Sequence, residues 1–136
     1  MKETIFTKII KGEIPCTKIY EDDSVFAFLD IMPNNIGHTL VVPKESYPFI
    51  KDIPDELLSK VIIAVKKISI AVKKGMSAEG INLALNDGTV AGQEIPHFHF
   101  HVIPRFTNDG FKHGRHLKYD GDEHKEKVGE MIRKFL

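Results

Sequence analysis

The chain has 136 residues, of which 42% are hydrophobic and 28% charged, a balance that is typical of one globular domain and excludes a disordered chain. Nineteen basic residues balance nineteen acidic ones, so no excess positive charge favours a nucleic-acid partner. Cys16 is the only cysteine, which excludes an intrachain disulfide and a cysteine-rich zinc site. The start lacks a signal-peptide pattern and the longest apolar run, Val61–Val65, is too short to cross a bilayer, so we expect a cytoplasmic protein without membrane contact.

The first part of the chain predicts a short helix and three strands. Residues 4–11 place apolar side chains four positions apart, which predicts a helix. Short apolar runs at 18–21 and 24–29, separated by acidic residues, predict a hairpin. A β-branched run at 38–42 follows a cluster of turn residues and predicts a third strand.

The second part predicts a long helix, two strands and a closing helix. Residues 54–74 repeat apolar side chains with helical spacing, and residues 123–136 do so over a shorter stretch. Residues 81–85 and 97–103 are predicted as the fourth and fifth strands. Strands joined mainly by short connections, with one long helix between the third and fourth, predict an α+β fold with an antiparallel sheet.

The fifth predicted strand carries three histidines in strict alternation with apolar residues. His97, His99 and His101 would point to one face, and the Phe98, Phe100 and Val102 side chains would point into the core. Core packing does not explain three imidazoles on one face, so we interpret this row as a functional site.

One interpretation of the row is a metal site, because imidazoles two residues apart on a strand can share one zinc ion. The outer pair, His97 and His101, would begin about 13 Å apart along a strand, so one ion could not readily use all three. His38 is the obvious further donor.

The other interpretation is phosphorus chemistry, in which a neutral imidazole attacks a phosphate derivative and holds the group covalently. An unperturbed histidine pKa near 6.5 supplies the neutral form at pH 7, and a hydrogen bond to the other ring nitrogen must select the tautomer. Residues 86–94, directly before the row, offer side-chain amides, a hydroxyl and glycines that let backbone N–H groups approach an anion.

At these residues the chain resembles the histidine triad (HIT) superfamily, whose His-x-His-x-His-x-x pattern is met by residues 97–103. The resemblance spans about residues 4–106 and includes Gly12-Glu13-Ile14-Pro15, Ala27-Phe28-Leu29-Asp30-Ile31, Gly37-His38-Thr39-Leu40-Val41-Val42-Pro43-Lys44 and Ala91-Gly92-Gln93. It implies a single domain over 1–136 with a variable tail at 107–136. It also implies a five-stranded antiparallel sheet with helices, usually paired into a homodimer.

The resemblance further implies binding of purine nucleotides and cleavage of the bond between the α-phosphate and its leaving group. His99 is similar to the family's nucleophile, which forms a nucleotidyl-histidine that water hydrolyses. His97 and His38 are similar to the pair that orients the site and relays protons, and His101 to the donor on the phosphate and leaving-group side. The family's reaction requires no metal or other cofactor.

Nucleotide contacts follow from the same resemblance. Asp30 is similar to the carboxylate that accepts the ribose hydroxyls. The residues similar to the apolar walls around the base are Phe6, Ile9, Phe28 and Ile31. Those similar to the phosphate contacts are Asn86, Gly92 and Gln93.

The chain departs from the family's pattern at several positions. Thr4 and Thr7 stand where many bacterial-type members have a Cys-x-x-Cys pair that helps bind structural zinc. Glu94 stands where some relatives have a hydroxyl residue that contacts phosphate or leaving group. In the tail, His113, His116 and His124 are interpreted as surface residues.

Several functions therefore stay open. The leading one is a purine nucleoside phosphoramidase or hydrolase that releases AMP or GMP. The alternatives are a dinucleoside polyphosphate hydrolase, a nucleotide-binding protein that acts through protein partners, and a zinc-binding protein.

Overall fold

The computed structural model describes residues 2–112 and 114–136, which form one sheet and three α-helices. The strands are β1 (Lys18–Glu21), β2 (Val25–Leu29), β3 (Thr39–Pro43), β4 (Gly80–Leu85) and β5 (Phe100–Arg105), and the helices are α1 (Ile5–Ile10), α2 (Asp55–Gly75) and α3 (Gly121–Arg133). The sheet has the order β1-β2-β3-β5-β4, and every neighbouring pair is antiparallel. The predicted α+β fold with a five-stranded antiparallel sheet is therefore confirmed.

The long helix α2 covers one face of the sheet because its apolar residues recur every three or four positions. The residues that it buries are Val61, Ala64, Val65, Ile68, Ala71 and Val72, and α3 adds Val128 and Ile132 to the same core. The two helices meet at Gly75, where a Cβ atom would lie 2.5 Å from the backbone oxygen of Met131. This close approach requires glycine, and it sets the position of α3.

The opposite face of the sheet is covered by α1. Strand β2 shows the division, since Val25, Ala27 and Leu29 belong to the core under α2 whereas Phe26 and Phe28 belong to a second apolar cluster with Phe6 of α1. Alternation of side chains along a strand produces this two-sided burial. The imidazoles of the histidine row lie on the α1 face, because the Phe6 ring contacts those of His97 and His99.

The predicted strand at 97–103 is displaced in the structure, where β5 begins at Phe100 and continues to Arg105. The ladder between β3 and β5 ends at the pair Val41 and Phe100. Farther along β3 stands Pro43, which has no N–H to donate to a ladder. The residues before Phe100 do not continue this ladder, and the Phe98 N–H donates instead to the Tyr47 oxygen at 2.6 Å. Only His101 of the row lies in the strand itself.

The predicted closing helix is confirmed in the tail, but its bounds differ from the prediction. Helix α3 begins two residues before the predicted 123–136 segment and ends at Arg133. His113 of the tail lies outside the described residues. Within the described residues, no helix combines the length and apolarity that a bilayer span requires.

Candidate active site

The structure brings His38 to the histidine row. His38 directly precedes β3, and the β3–β5 ladder pairs Leu40 with His101, so the His38 and His101 rings meet with centroids 5.2 Å apart. The His99 ring lies 4.9 Å from that of His101. The four predicted catalytic imidazoles therefore form a connected set, in which His101 is half-buried and the others are buried.

His97 is held on both ring nitrogens. Its Nε2–H donates to the Pro43 oxygen at 2.8 Å, because a carbonyl can only accept. Its Nδ1 therefore carries a lone pair, which accepts the Thr4 hydroxyl at 3.0 Å. Burial is the main cause that lowers the pKa of His97, so the ring is neutral at pH 7. His97 thus orients the backbone of the row and has no ring nitrogen left for a substrate.

His99 presents a lone pair. Its Nδ1–H donates to the His97 backbone oxygen at 2.7 Å, which leaves Nε2 unprotonated in the neutral ring. Burial lowers the pKa of His99, whereas its bond to the His97 oxygen and the negative charge of Glu94 act in the opposite direction. The Phe6 ring lies edge-on at 5.0 Å between centroids and restricts the imidazole. This is the protonation pattern that a nucleophilic imidazole needs.

His38 and His101 form a chain with a defined direction. The Asn34 backbone N–H donates to His38 Nδ1 at 3.0 Å, so the proton of the neutral His38 ring is on Nε2. That Nε2–H donates to His101 Nδ1 at 2.9 Å, and the proton of His101 is consequently on its own Nε2. Burial, followed by the neighbouring imidazoles, lowers the pKa of His38 to about 3 and that of His101 to about 4.

The Nε2–H of His101 is a buried donor that has no hydrogen-bond partner among the described residues. A buried donor without a partner is costly, so a group in this position calls for a ligand that accepts from it. The His99 lone pair and the His101 N–H donor belong to neighbouring rings. Together they can attack an electrophilic centre and bind an oxygen or nitrogen attached to it.

Asp30 lies beside this chain. Its Oδ1 accepts the Met32 backbone N–H at 2.9 Å, and its Oδ2 lies 3.7 Å from His38 Nε2. Burial raises the pKa of Asp30, and the charge of Glu94 acts in the same direction. One carboxylate oxygen thus has capacity for a further donor, as the predicted ribose contact requires.

Asp30, His38 and His101 also form the one group among the described residues whose donor atoms lie close enough to share a metal ion. Its chemistry does not fit a metal. To ligate through Nε2, a neutral His38 ring would carry its proton on Nδ1, where it would oppose the Asn34 N–H. Thr4 and Thr7 carry no thiol and so offer no thiolate ligand; their side chains form the capping box of α1, and the Thr4 hydroxyl also donates to His97.

The residues predicted around the base are divided by the structure. Phe6 and Phe28 are buried with ring centroids 5.4 Å apart, and Ile9 packs against their cluster. Ile31 is 70% exposed and stands outside it. The aromatic pair therefore belongs to the wall beneath the imidazoles, and Ile31 is placed at an open edge.

The predicted phosphate loop is held by Gln93. Its Oε1 accepts the Gly88 N–H at 2.7 Å, and its Nε2 donates to the oxygens of Pro48 and Ile95. Gly92 has a φ of 98°, in the left-handed region that favours glycine, and a Cβ there would be 3.5 Å from the Asn86 amide nitrogen. Gln93 thus fixes the shape of the loop, whereas the Asn86 side chain lies next to the turn at Gly92.

Some residues of the site were not identified from the sequence. Asn34 and Asn35 belong to the cluster of turn residues before β3 and carry no signal of a functional role, yet the Asn34 N–H selects the His38 tautomer. Thr4 forms a capping box with Thr7 and donates to His97. The Thr-x-x-Thr spacing before a helix is the signal that could have identified the cap. His116, given no role, donates from Nδ1 to the Met32 oxygen at 2.9 Å.

Comparison with known proteins identifies the family to which the chain is similar. The model of the HIT domain matches residues 11–108. A HIT-like protein of Methanocaldococcus jannaschii without an assigned function is 50% identical over 88% of this chain and 93% of its own length. An adenosine 5'-monophosphoramidase of Schizosaccharomyces pombe is 42% identical over 74% of this chain and 73% of its own length. An adenylylsulfatase of Arabidopsis thaliana is 41% identical over 79% of this chain and 54% of its own length.

Solved structures show the same fold. A Hit-like protein of Bartonella henselae superposes with a TM-score of 0.88 and 41% identity over 98% of this chain and 97% of its own. A zinc-bound histidine triad family protein of Mycobacterium smegmatis superposes with a TM-score of 0.85 and 36% identity over 96% of this chain and 90% of its own. With the family model covering more than half of the chain and relatives of this similarity, the chain belongs to the HIT-domain family.

Proposed function

We propose that this protein hydrolyses purine nucleoside 5'-phosphoramidates and releases a nucleoside monophosphate such as AMP or GMP. The observation that carries the proposal is the His99 lone pair next to the partnerless N–H donor of His101. The similarity to the S. pombe adenosine 5'-monophosphoramidase supports the substrate class.

In the proposed reaction, His99 Nε2 attacks the α-phosphorus, forming a phosphorus–nitrogen bond as the bond to the leaving amine breaks. The substrate reacts with its leaving nitrogen protonated, so the amine departs as a neutral molecule, and the neutral His101 ring keeps its Nε2–H and donates it in a hydrogen bond to a phosphoryl oxygen. A water molecule then attacks the same phosphorus, gives its proton to the departed amine and releases His99 and the nucleoside monophosphate. The His97 oxygen holds the Nδ1–H of His99 throughout and stabilises the positive charge that the modified ring acquires.

The remaining predicted contacts complete the proposed complex. Asp30 accepts the ribose hydroxyls, and Asn86 with the Gly92 turn binds the phosphate. The base lies against the wall of Phe6, Ile9 and Phe28, with Ile31 at the open edge. Gln93 acts through the shape of that loop, because its amide is already bonded within it. N–H donors meet the phosphate charge, so the proposed reaction uses no cofactor.

Glu94 supports an amine leaving group over an anionic one. Its side chain is exposed, and its negative charge acts on both Asp30 and His99. A negative charge there repels a leaving phosphate, sulfate or second nucleotide more than a neutral amine. Dinucleoside polyphosphates and adenylyl sulfate are therefore the weaker candidates.

The test is AMP release from adenosine 5'-phosphoramidate in the presence of EDTA, compared with release from adenylyl sulfate and a dinucleoside tetraphosphate. We expect the phosphoramidate to be the best substrate, and His99→Asn to lower its kcat by a factor on the order of 10³ or more. His124→Asn, on the α3 helix of the opposite sheet face, is the control and retains activity. A folded His99→Asn variant with wild-type turnover contradicts the proposal, and tight nucleotide binding without turnover favours the binding-protein alternative.

We also propose that the protein is a homodimer in which two β4 strands pair. Strand β4 is at the end of the sheet, and Leu83 in its middle is 50% exposed. An apolar edge strand is stabilised by pairing with another strand. Light scattering coupled to gel filtration should give twice the chain mass, and Leu83→Lys should give the monomer, whereas Ile5→Lys on α1 should stay dimeric. A monomeric wild type contradicts this assignment.

A further inference from the structure

We propose that Arg115, a tail residue beyond the part matched by the HIT-domain model, is a positioning residue that keeps the proton of His101 on the nitrogen facing the substrate. It acts through the backbone around Asn34 and through His38. The role of that proton in turnover rests on the proposed function, but the position of the proton does not.

The tail contacts the loop before β3 through Arg115. Arg115 donates through Nη2 to the Asn34 backbone oxygen at 2.9 Å and to the Asn35 side-chain oxygen. In return, the Asn34 side-chain amide donates to the Arg115 backbone oxygen at 2.6 Å. Arg115 therefore grips the Asn34 residue from both its backbone and its side chain.

Arg115 and Asn35 are themselves held by Asp109. Arg115 Nη1 donates to the Asp109 backbone oxygen at 2.7 Å, and the Asp109 carboxylate accepts from Asn35 at 2.9 Å and from Arg105 Nε at 2.8 Å. Asn35 also donates to the Pro104 oxygen in β5 at 2.8 Å. The loop before β3 is thus tied to the same strand that carries His101.

The tail holds both peptide groups that flank the Asn34 Cα atom. Arg115 holds the oxygen of the Asn34–Asn35 peptide, and the Leu117 N–H, two residues farther along the tail, donates at 2.7 Å to the Pro33 oxygen of the peptide that carries the Asn34 N–H. Arg115 thus fixes the tail segment and the Asn34 residue in the position in which this N–H points to His38 Nδ1. If that N–H turned away, His38 could carry its proton on Nδ1 and offer a lone pair from Nε2. His101 would then hold its proton on Nδ1 and present a lone pair where it now presents a donor.

Such a change of tautomer would replace a hydrogen-bond donor by an acceptor at the place where the substrate binds. A donor at His101 Nε2 binds a phosphoryl oxygen, whereas a lone pair in the same place repels that oxygen. His97 and His99 are insulated from this change, because their tautomers are selected by Pro43, Thr4 and the His97 backbone. The tail therefore acts on one end of the site and leaves the nucleophile unchanged.

The experiment is long-range ¹H–¹⁵N NMR of the full chain labelled with ¹⁵N-histidine, without nucleotide, which distinguishes protonated from unprotonated ring nitrogens. The variants are Arg115→Gln and, as a matched control, Arg133→Gln. Arg133 also ties the tail to a backbone oxygen, that of Lys18, but does so from α3 on the other face of the sheet. Asn34→Ala, which removes only the bond from the Asn34 side chain to the Arg115 oxygen, serves as a second variant if Arg115→Gln does not fold.

In the wild type and in Arg133→Gln we expect His38 and His101 to be protonated on Nε2 alone. Arg115→Gln, or Asn34→Ala to a smaller extent, should give mixed Nδ1 and Nε2 forms for these two rings and leave His97 and His99 unchanged. With adenosine 5'-phosphoramidate, kcat should fall about tenfold in Arg115→Gln with little change in KM.

Wild-type tautomers in folded Arg115→Gln and Asn34→Ala overturn the proposal, whatever their activity. Mixed tautomers at all four histidines also overturn it, because they would indicate a general loss of structure. Mixed tautomers at His38 and His101 in a protein whose wild type lacks turnover support the positioning role and contradict only the proposed function.

Discussion

At the scale of single residues, a backbone group places the proton of His97, His99 and His38, and His38 in turn places that of His101. Backbone carbonyls can only accept and a backbone N–H can only donate, so Pro43, His97 and Asn34 leave no choice of tautomer to the rings that they contact. Burial keeps these rings neutral, since it lowers the pKa of every one of them. The chemistry of the site is thus set by the backbone around it.

Substitution of Thr4 tests how far the position of His97 and the start of α1 depend on a single hydroxyl. Its Oγ1 accepts the Thr7 N–H at 3.2 Å, capping α1, and donates to His97 Nδ1. Thr4→Val keeps the shape and leaves both polar partners unsatisfied, so we expect the free energy of unfolding to fall by about 2–3 kcal/mol. Urea denaturation measures it. Ser69→Ala, which removes an exposed hydroxyl bond on α2, is the control with a change below about 0.5 kcal/mol. Equal effects of the two substitutions would contradict the assigned role of Thr4.

At the scale of elements, the periodic parts of the fold were readable from the sequence. The hairpin of two short apolar runs and the apolar stripe of α2 depend on local spacing, and both were confirmed. The start of β5 was not readable, because it depends on Pro43, which is distant along the chain and interrupts the ladder. The grip of Arg115 on Asn34 was unreadable for a similar reason, since no spacing rule joins residues that are 81 positions apart.

The crossing of α2 and α3 yields a prediction about packing. A Cβ at Gly75 would meet backbone atoms of Met131 and Ile132 at 2.5–2.9 Å, and backbone cannot move aside as a flexible side chain can. We expect Gly75→Ala to lower the free energy of unfolding by about 1–3 kcal/mol, although alanine is the better helix former. Gly80→Ala is the matched control, because a Cβ there meets nothing within 4 Å. Thermal unfolding of both variants is the measurement, and a Gly75→Ala protein as stable as Gly80→Ala would contradict the tight crossing.

At the scale of the whole molecule, the buried imidazoles couple folding to pH. In the unfolded chain each histidine takes up a proton near its ordinary pKa of about 6.5. In the folded chain His38 and His101 do so only at about 3 and about 4, and the pKa values of His97 and His99 are lowered as well. The unfolded state therefore binds more protons than the folded state in mildly acidic solution.

The sign of the effect follows from this difference. Above about pH 6.5 both states hold the rings neutral, and stability does not depend on them. As the pH falls below that value, the free energy of unfolding should decrease by up to about 1.4 kcal/mol per pH unit for each of the four imidazoles. Asp30 acts the other way, because its raised pKa lets the folded state take up a proton earlier, but it is one group against four.

Urea denaturation at several pH values between 8 and 4.5 tests this coupling. We expect a plateau at the upper end and a progressive loss of stability below about pH 6.5. His101→Asn removes one of the titrating rings, so its curve should fall less steeply, by about the share of one imidazole, whereas Ser69→Ala should reproduce the wild-type slope. A free energy of unfolding that is constant or rises as the pH is lowered would mean that the imidazoles are charged in the folded protein, and the lone pair assigned to His99 would then be absent near neutral pH.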